Sequence, residues 1–138
     1  MGVRDSIDPE FRERMRIDRS IWKEYDRKRY IVYIVAPAIE RKPSKIGIAR
    51  DPKRRLGALQ VSHWVRLKIF HCGYCIDEFA ARRIEMEAHK LLDEYRLLGE
   101  WFNVEPKMAI EAAEFAALAL RIDFQRADDA RLDKAQKR

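Results

Sequence analysis

Three side chains of this sequence have the chemistry to handle a phosphate ester, and short local elements place each of them. Tyr33 lies in the β-type run Tyr30-Ile31-Val32-Tyr33-Ile34, Lys45 in Lys45-Ile46-Gly47-Ile48, and Arg55 on a helix opened by Asp51-Pro52. A phenol can hydrogen-bond to a water, an ammonium supplies positive charge, and a planar guanidinium grips non-bridging phosphate oxygens. Two strands in quick succession followed by a capped helix bring the three towards one end of a small sheet. A phosphodiester fits there, and what such a site still needs is an acid to hold a metal ion.

The charge distribution suits that chemistry. The 138 residues carry a net +6, which favours a polyanionic partner and speaks to association, not to fold. Residues 41–68 hold nine Lys or Arg against Asp51 alone, a net +8, whereas residues 69–105 hold four against eight acids, a net −4. A basic half facing an acidic half is what an enzyme needs to grip phosphate on one side and recruit a divalent cation on the other. An ordinary solvated surface has the same composition, so charge by itself does not decide.

Other classes fit less well. No apolar run approaches the roughly 20 residues of a membrane span, and Met1 to Arg29 is densely charged where a signal peptide needs an apolar stretch. A soluble, cytoplasmic protein without a membrane partner is expected. Cys72-Gly73-Tyr74-Cys75 is a CxxC, but thioredoxin-like folds place theirs after an early βαβ strand, and one pair is poor support for zinc. These cysteines read as a turn.

The elements that must position the chemistry divide into three zones. Residues 1–29 form a charged helical arm, with Phe11, Met15, Ile17, Ile21, Trp22 and Tyr25 at near-helical intervals. Residues 30–105 hold the strand-like runs and the core. Residues 106–138 begin with an alanine-rich helix running to about Arg126 and end in a charged tail expected to fray. The fold class is α+β, with a small three-stranded antiparallel sheet flanked by helices.

Within the core, the loop from Ala36 to Ser44 is longer than a tight hairpin and carries Arg41 and Lys42 at its tip. Asp51 caps the exposed N–H groups of the next helix and Pro52 suits its first position. Leu59 lies one turn beyond Arg55 on the same face and should pack on the sheet, holding Arg55 near it. Val65 to His71 reads as the third strand, ended by Gly73. A further helix starts near Asp77, with Ile84, Ala88, Leu91, Leu92 and Tyr95 as its buried stripe. Glu85 and Glu87 flank that stripe on opposite sides, His89 shares the side of Glu85, and periodicity does not choose between the two acids.

The order and spacing of these motifs resemble the GIY-YIG nuclease superfamily, which includes homing endonucleases, some restriction enzymes and the incision subunit of bacterial excision repair. Ile31-Val32-Tyr33 stands where that family has GIY, and Lys45-Ile46-Gly47 where it has YIG. Arg55 matches the family's arginine, Glu85 in Ile84-Glu85-Met86-Glu87-Ala88-His89 its metal-binding glutamate, and Asn103 in Trp101-Phe102-Asn103-Val104 its distal asparagine. The Gly99-Glu100-Trp101-Phe102 ending and the lysine variant are similar to a subgroup of small phage and bacterial members. The likeness covers residues 30–105. Ile31 replaces a glycine, which matters little to chemistry, and Lys45 replaces a tyrosine, which matters more.

What the resemblance implies is a metal-dependent endonuclease acting on DNA, with RNA left open. Tyr33 or Lys45 would activate water, Arg55 would hold the phosphate, Glu85 would bind one Mg²⁺ or Mn²⁺, and Asn103 would support the arrangement. Arg41, Lys42, Arg50, Lys53 and Arg54 are the candidate nucleic-acid contacts, and His89 a candidate auxiliary to the metal or to proton transfer. A second copy or a partner protein is a source of site specificity that a chain this small needs. The competing reading keeps the fold and the binding but not turnover, with basic residues and Trp22, Tyr25, Tyr30 and Trp64 gripping backbone and stacking bases.

Overall fold

The computed structural model describes residues 29–126, so the N-terminal arm and the charged tail expected from the sequence lie outside the described residues. The centre of the fold is β1, Tyr30–Pro37. Its β-branched and aromatic residues alternate onto two faces that are both covered, which is why Ile31 to Pro37 are all buried. β2, Ser44–Ala49, pairs antiparallel with it, aligning Tyr33 with Gly47 and Val35 with Lys45. β3, Leu67–Cys75, pairs antiparallel along its other side.

Three helices cover the sheet. α1, Pro52–Val61, starts as its sequence requires, with the Asp51 carboxylate accepting from the Arg54 N–H. It lies on the face lined by Ile31, Tyr33, Val35, Ile69 and Cys72, against which Leu56 and Leu59 pack. α2, Glu78–Leu91, is capped by Asp77. It shares the other face with α3, Pro106–Leu120. Five buried alanines of α3 join Val32, Ile34, Ile46 and Ile84 in one core, so this helix packs on its own domain.

The sheet is larger than the sequence suggested. Short strands β4, Arg96–Leu98, β5, Trp101–Phe102, and β6, Gln125–Arg126, extend it to six in the order β4-β5-β2-β1-β3-β6. Segments of two or three residues carry no readable alternation and form because a neighbouring edge offers them partners. α3 stops at Leu120, short of Arg126, where Arg121 turns into the left-handed region (φ 56°) and the chain doubles back to lay β6 on β3. Among the described residues no helix is long and apolar enough to cross a membrane.

β3 also corrects the expected end of the third strand. Gly73 does not terminate it: the strand continues to Cys75, and the Phe124 ring occupies the space that a side chain at residue 73 would need. Between Ile34 and Val35 the register with β1 slips by one residue, making Phe70 the extra residue of a bulge. Before the bulge Leu67 and Ile69 face α1. Beyond it, Cys72 joins that face, and Cys75 lies on the face of α2 and α3.

Candidate active site

Tyr33 is 1% exposed, at the middle of β1 on the α1 face. Its ring lies over Gly47, where a Cβ would come within 2.5 Å of the phenolic oxygen. Gly47 is therefore a glycine because the phenol occupies its side-chain space. Burial pushes the phenol above its ordinary pKa of 10.0, while hydrogen bonding and charge from the Arg55 guanidinium pull the other way. Arg55 is exposed on the first turns of α1, so a solvent-facing guanidinium acts on the buried phenol.

Two residues along β2 from Gly47, and so on the same face, is Lys45. It is 5% exposed, and its Nζ is ion-paired to the Glu100 carboxylate. An exposed strand-end lysine is thus not what the fold builds. Glu100 reaches it from the turn between β4 and β5, because β5 pairs with β2 and sets Trp101 opposite Lys45. Sequence reasoning gave Glu100 no role. The signal available was an acid immediately before a strand-like Trp-Phe pair, which means nothing until that pair is known to lie beside Lys45.

The third dimension chooses between the two glutamates of α2. Glu85 is 7% exposed, while Glu87 is half-buried and lies 4.0 Å from Lys90. Burial, and then the like charge of Glu100, push the Glu85 carboxyl up to about 7, with Lys45 and Arg82 acting in the opposite sense. Glu85 and Glu100 also act on the Tyr33 phenol. The Tyr33 phenol thus feels Arg55, Glu100 and Glu85, and Glu85 feels Glu100 and Lys45, five side chains drawn from two strands, two helices and a turn. One turn after Glu85, His89 Nε2 donates to the Ile46 carbonyl at 2.9 Å and its ring packs on Phe102. Burial lowers the pKa of His89, so this neutral imidazole ties α2 to β2 and fixes the helix that carries Glu85.

The sequence matches the T5orf172 domain over residues 30–117. The chain belongs to that family. T5orf172 is a phage-associated domain of the endonuclease-related group, and its span here runs from β1 into α3, including all five of those side chains. Neither a curated protein nor a solved structure matches the chain.

Other candidates sit elsewhere in the T5orf172 domain. Asn103 follows β5, is exposed, and its N–H donates to the Tyr95 carbonyl at 2.8 Å. Its side chain lines a hollow of about 500 Å³ with Lys42, Tyr95 and Lys107, and it is not among the groups acting on Tyr33 or Glu85. The basic residues separate into two groups. Arg50, Lys53 and Arg54 gather where β2 enters α1, whereas Arg41 and Lys42 lie at the opposite end of the β1–β2 pair, with Arg41 over the Phe70 ring at 5.1 Å.

The CxxC of the T5orf172 domain is strand, not turn. Cys72 and Cys75 are buried on opposite faces of the sheet, and burial pushes each thiol up to about 12. His71 is buried too; its Nε2 has no partner among the described residues and burial brings it down to about 4.

Proposed function

We propose that this T5orf172 domain is a metal-dependent endonuclease that hydrolyses phosphodiester bonds in DNA on the GIY-YIG plan. The observation that carries the reading is that the Arg55 guanidinium and the Glu85 carboxyl, from two separate helices, both act electrostatically on the buried Tyr33 phenol. Taken singly each has a structural explanation, since a tyrosine packs, an arginine solvates and a buried acid finds a base. Jointly they make a phosphate grip, a water site and a cation ligand.

The donor set fits one hard cation. Glu85 makes no ion pair among the described residues, and burial, then the Glu100 charge, hold its pKa up. Among those residues no three His, Cys, Asp or Glu side chains come together. Glu85 would be the protein ligand of one Mg²⁺ or Mn²⁺, a class of ion ordinarily held by one or two carboxylates. When bound, it supplies charge stabilisation at the leaving oxygen and at phosphorus.

The remaining work falls to the chain's own side chains. Arg55 faces solvent and can chelate two non-bridging phosphate oxygens, neutralising charge that grows in the transition state. The same guanidinium can only donate, so any bond it makes to the Tyr33 oxygen leaves the phenolic O–H free to orient the attacking water. Because burial raises its pKa, Tyr33 works as a neutral phenol at neutral pH. Lys45, paired with Glu100, contributes fixed positive charge beside Glu85 and is not the base. Arg50, Lys53 and Arg54 extend the phosphate track from Arg55 along the β2–α1 junction.

The deciding experiment is nicking of supercoiled plasmid with Mg²⁺ or Mn²⁺, comparing the native chain with Glu85→Gln. Cleavage by the native chain that chelator abolishes and the variant lacks is the expected result. DNA binding without metal-dependent cleavage by either protein would reduce the domain to a binding module.

A further inference from the structure

Trp64 is 98% exposed, the barest large apolar side chain among the described residues. A single exposed hydrophobe is ordinary, but the backbone beneath this one is held with unusual care. Gln60 Nε2 donates to the carbonyls of His63 at 3.1 Å and Val65 at 2.8 Å, and its Oε1 accepts from the Leu67 N–H at 2.8 Å. The Arg66 carbonyl accepts from the Ala38 N–H at 2.8 Å. One glutamine thus clamps the residues on both sides of Trp64 while the indole itself is left uncovered.

The pedestal also leads to a neighbour of Lys45. The His63 ring lies 5.3 Å from the Trp101 ring, and Trp101 is the register partner of Lys45. Arg66 and Lys68 follow the indole in sequence, while Lys53 and Arg54 stand at the other end of α1, in the most basic stretch of the chain. A bare aromatic plane on a fixed backbone, flanked in sequence by Arg66 and Lys68, has the properties of a base-stacking platform.

We propose that Trp64 stacks on an unpaired nucleobase, so that the substrate is DNA with a single-stranded segment next to the scissile phosphate. The inference rests on the nuclease reading for the bond that is cut, but not for the base that is bound. Bases inside a duplex already have both faces covered, so an indole on the protein surface gains a partner only where the strand is unpaired. Through His63 the pedestal contacts Trp101, the register partner of Lys45.

The test compares the native chain, Trp64→Ala and Trp64→Phe on oligo(dT), on a blunt duplex and on the same duplex bearing a single-stranded branch. Binding is measured in a Glu85→Gln background to prevent cutting, and cleavage with Mn²⁺ in the active one. Trp64→Ala should weaken binding to oligo(dT) and to the branched duplex by about 5- to 100-fold, the span of one stacked base. It should leave the blunt duplex nearly unchanged, and Trp64→Phe should recover most of the loss. Because the indole is in solvent, the variants should fold and melt as the native chain does. Equal losses on all three probes, or none on any, would overturn the platform. The two readings fail differently: no metal-dependent cleavage with the Trp64-dependent preference intact removes the nuclease and keeps the platform, whereas cleavage indifferent to Trp64 and to strandedness does the reverse.

Discussion

The ring of Tyr33 fills the space in which Gly47 would carry a side chain, so the position of the phenol and the identity of its cross-strand partner are one constraint. A methyl at residue 47 would meet the phenolic oxygen at 2.5 Å and the ring carbon bearing it at 2.6 Å. Gly47→Ala should therefore displace the phenol or strain the β1–β2 pair, costing about 1–3 kcal/mol of stability as overpacking does. Cleavage should fall on the order of 10²-fold, the usual consequence of moving a positioned group by about 1 Å. A thermal melt and a nicking assay on the same preparation check both; unchanged cleavage would mean that the phenol has no positional role.

Glu85 couples the site to pH. Its carboxyl is pushed from 4.5 up to about 7, so between those values the folded chain holds a proton that the unfolded chain has lost. Its contribution to stability is full below about pH 4.5 and is lost as pH rises through about 7. The decline between pH 5 and 7.5 should be shallower in Glu85→Gln than in the native chain. Cleavage should rise over the same range as the carboxylate becomes available to a cation. Burial is the main cause of that raised pKa; Glu100→Gln removes the like charge that adds to it and should shift the rise to lower pH. Parallel stability profiles for native and Glu85→Gln chains would show that this carboxyl titrates normally.

Arg55 is exposed, and surface substitutions of that kind usually alter stability by no more than about 0.5 kcal/mol. Its functional cost should be far larger. Loss of one charge-stabilising donor commonly lowers turnover by about 10²–10³-fold, and Arg55→Lys should recover little of it because an ammonium cannot form the planar fork. Spectroscopic titration should also place the Tyr33 phenol higher in Arg55→Ala, since the guanidinium is the group that lowers it. Near-native cleavage by Arg55→Lys would assign this residue a role as a simple point charge.

The cysteines offer a check on the sheet itself. With Cys72 and Cys75 on opposite faces and both thiols pushed up to about 12, neither should react with a thiol reagent at neutral pH in the folded chain, and both should react in denaturant. Fast modification of either one, or a disulfide between them under mild oxidant, would contradict the bulged course of β3.

Much of this was readable because short-range rules govern it. A run of β-branched and aromatic residues makes Tyr30 to Ile34 a strand, and an aspartate followed by a proline starts a helix by satisfying its free N–H groups. The positions of Tyr33, Lys45 and Arg55 on their elements followed from those rules, as did the helix that carries Glu85. The end of β3 did not, because a glycine usually punctuates a strand and only the Phe124 ring, delivered by the turn after α3, makes Gly73 a strand residue.

The sequence by itself determined the three long strands, the three helices and the side chains they offer, since propensity and capping act over a few residues. Only the tertiary structure decided that Glu85 and not Glu87 is buried, that Glu100 meets Lys45, and that His89 ties α2 to β2. Each of those choices depends on contacts between residues far apart in the chain. The strand β5 is the plainest case: two residues carry no pattern of their own, and the edge of β2 alone gives them their place and Glu100 its partner.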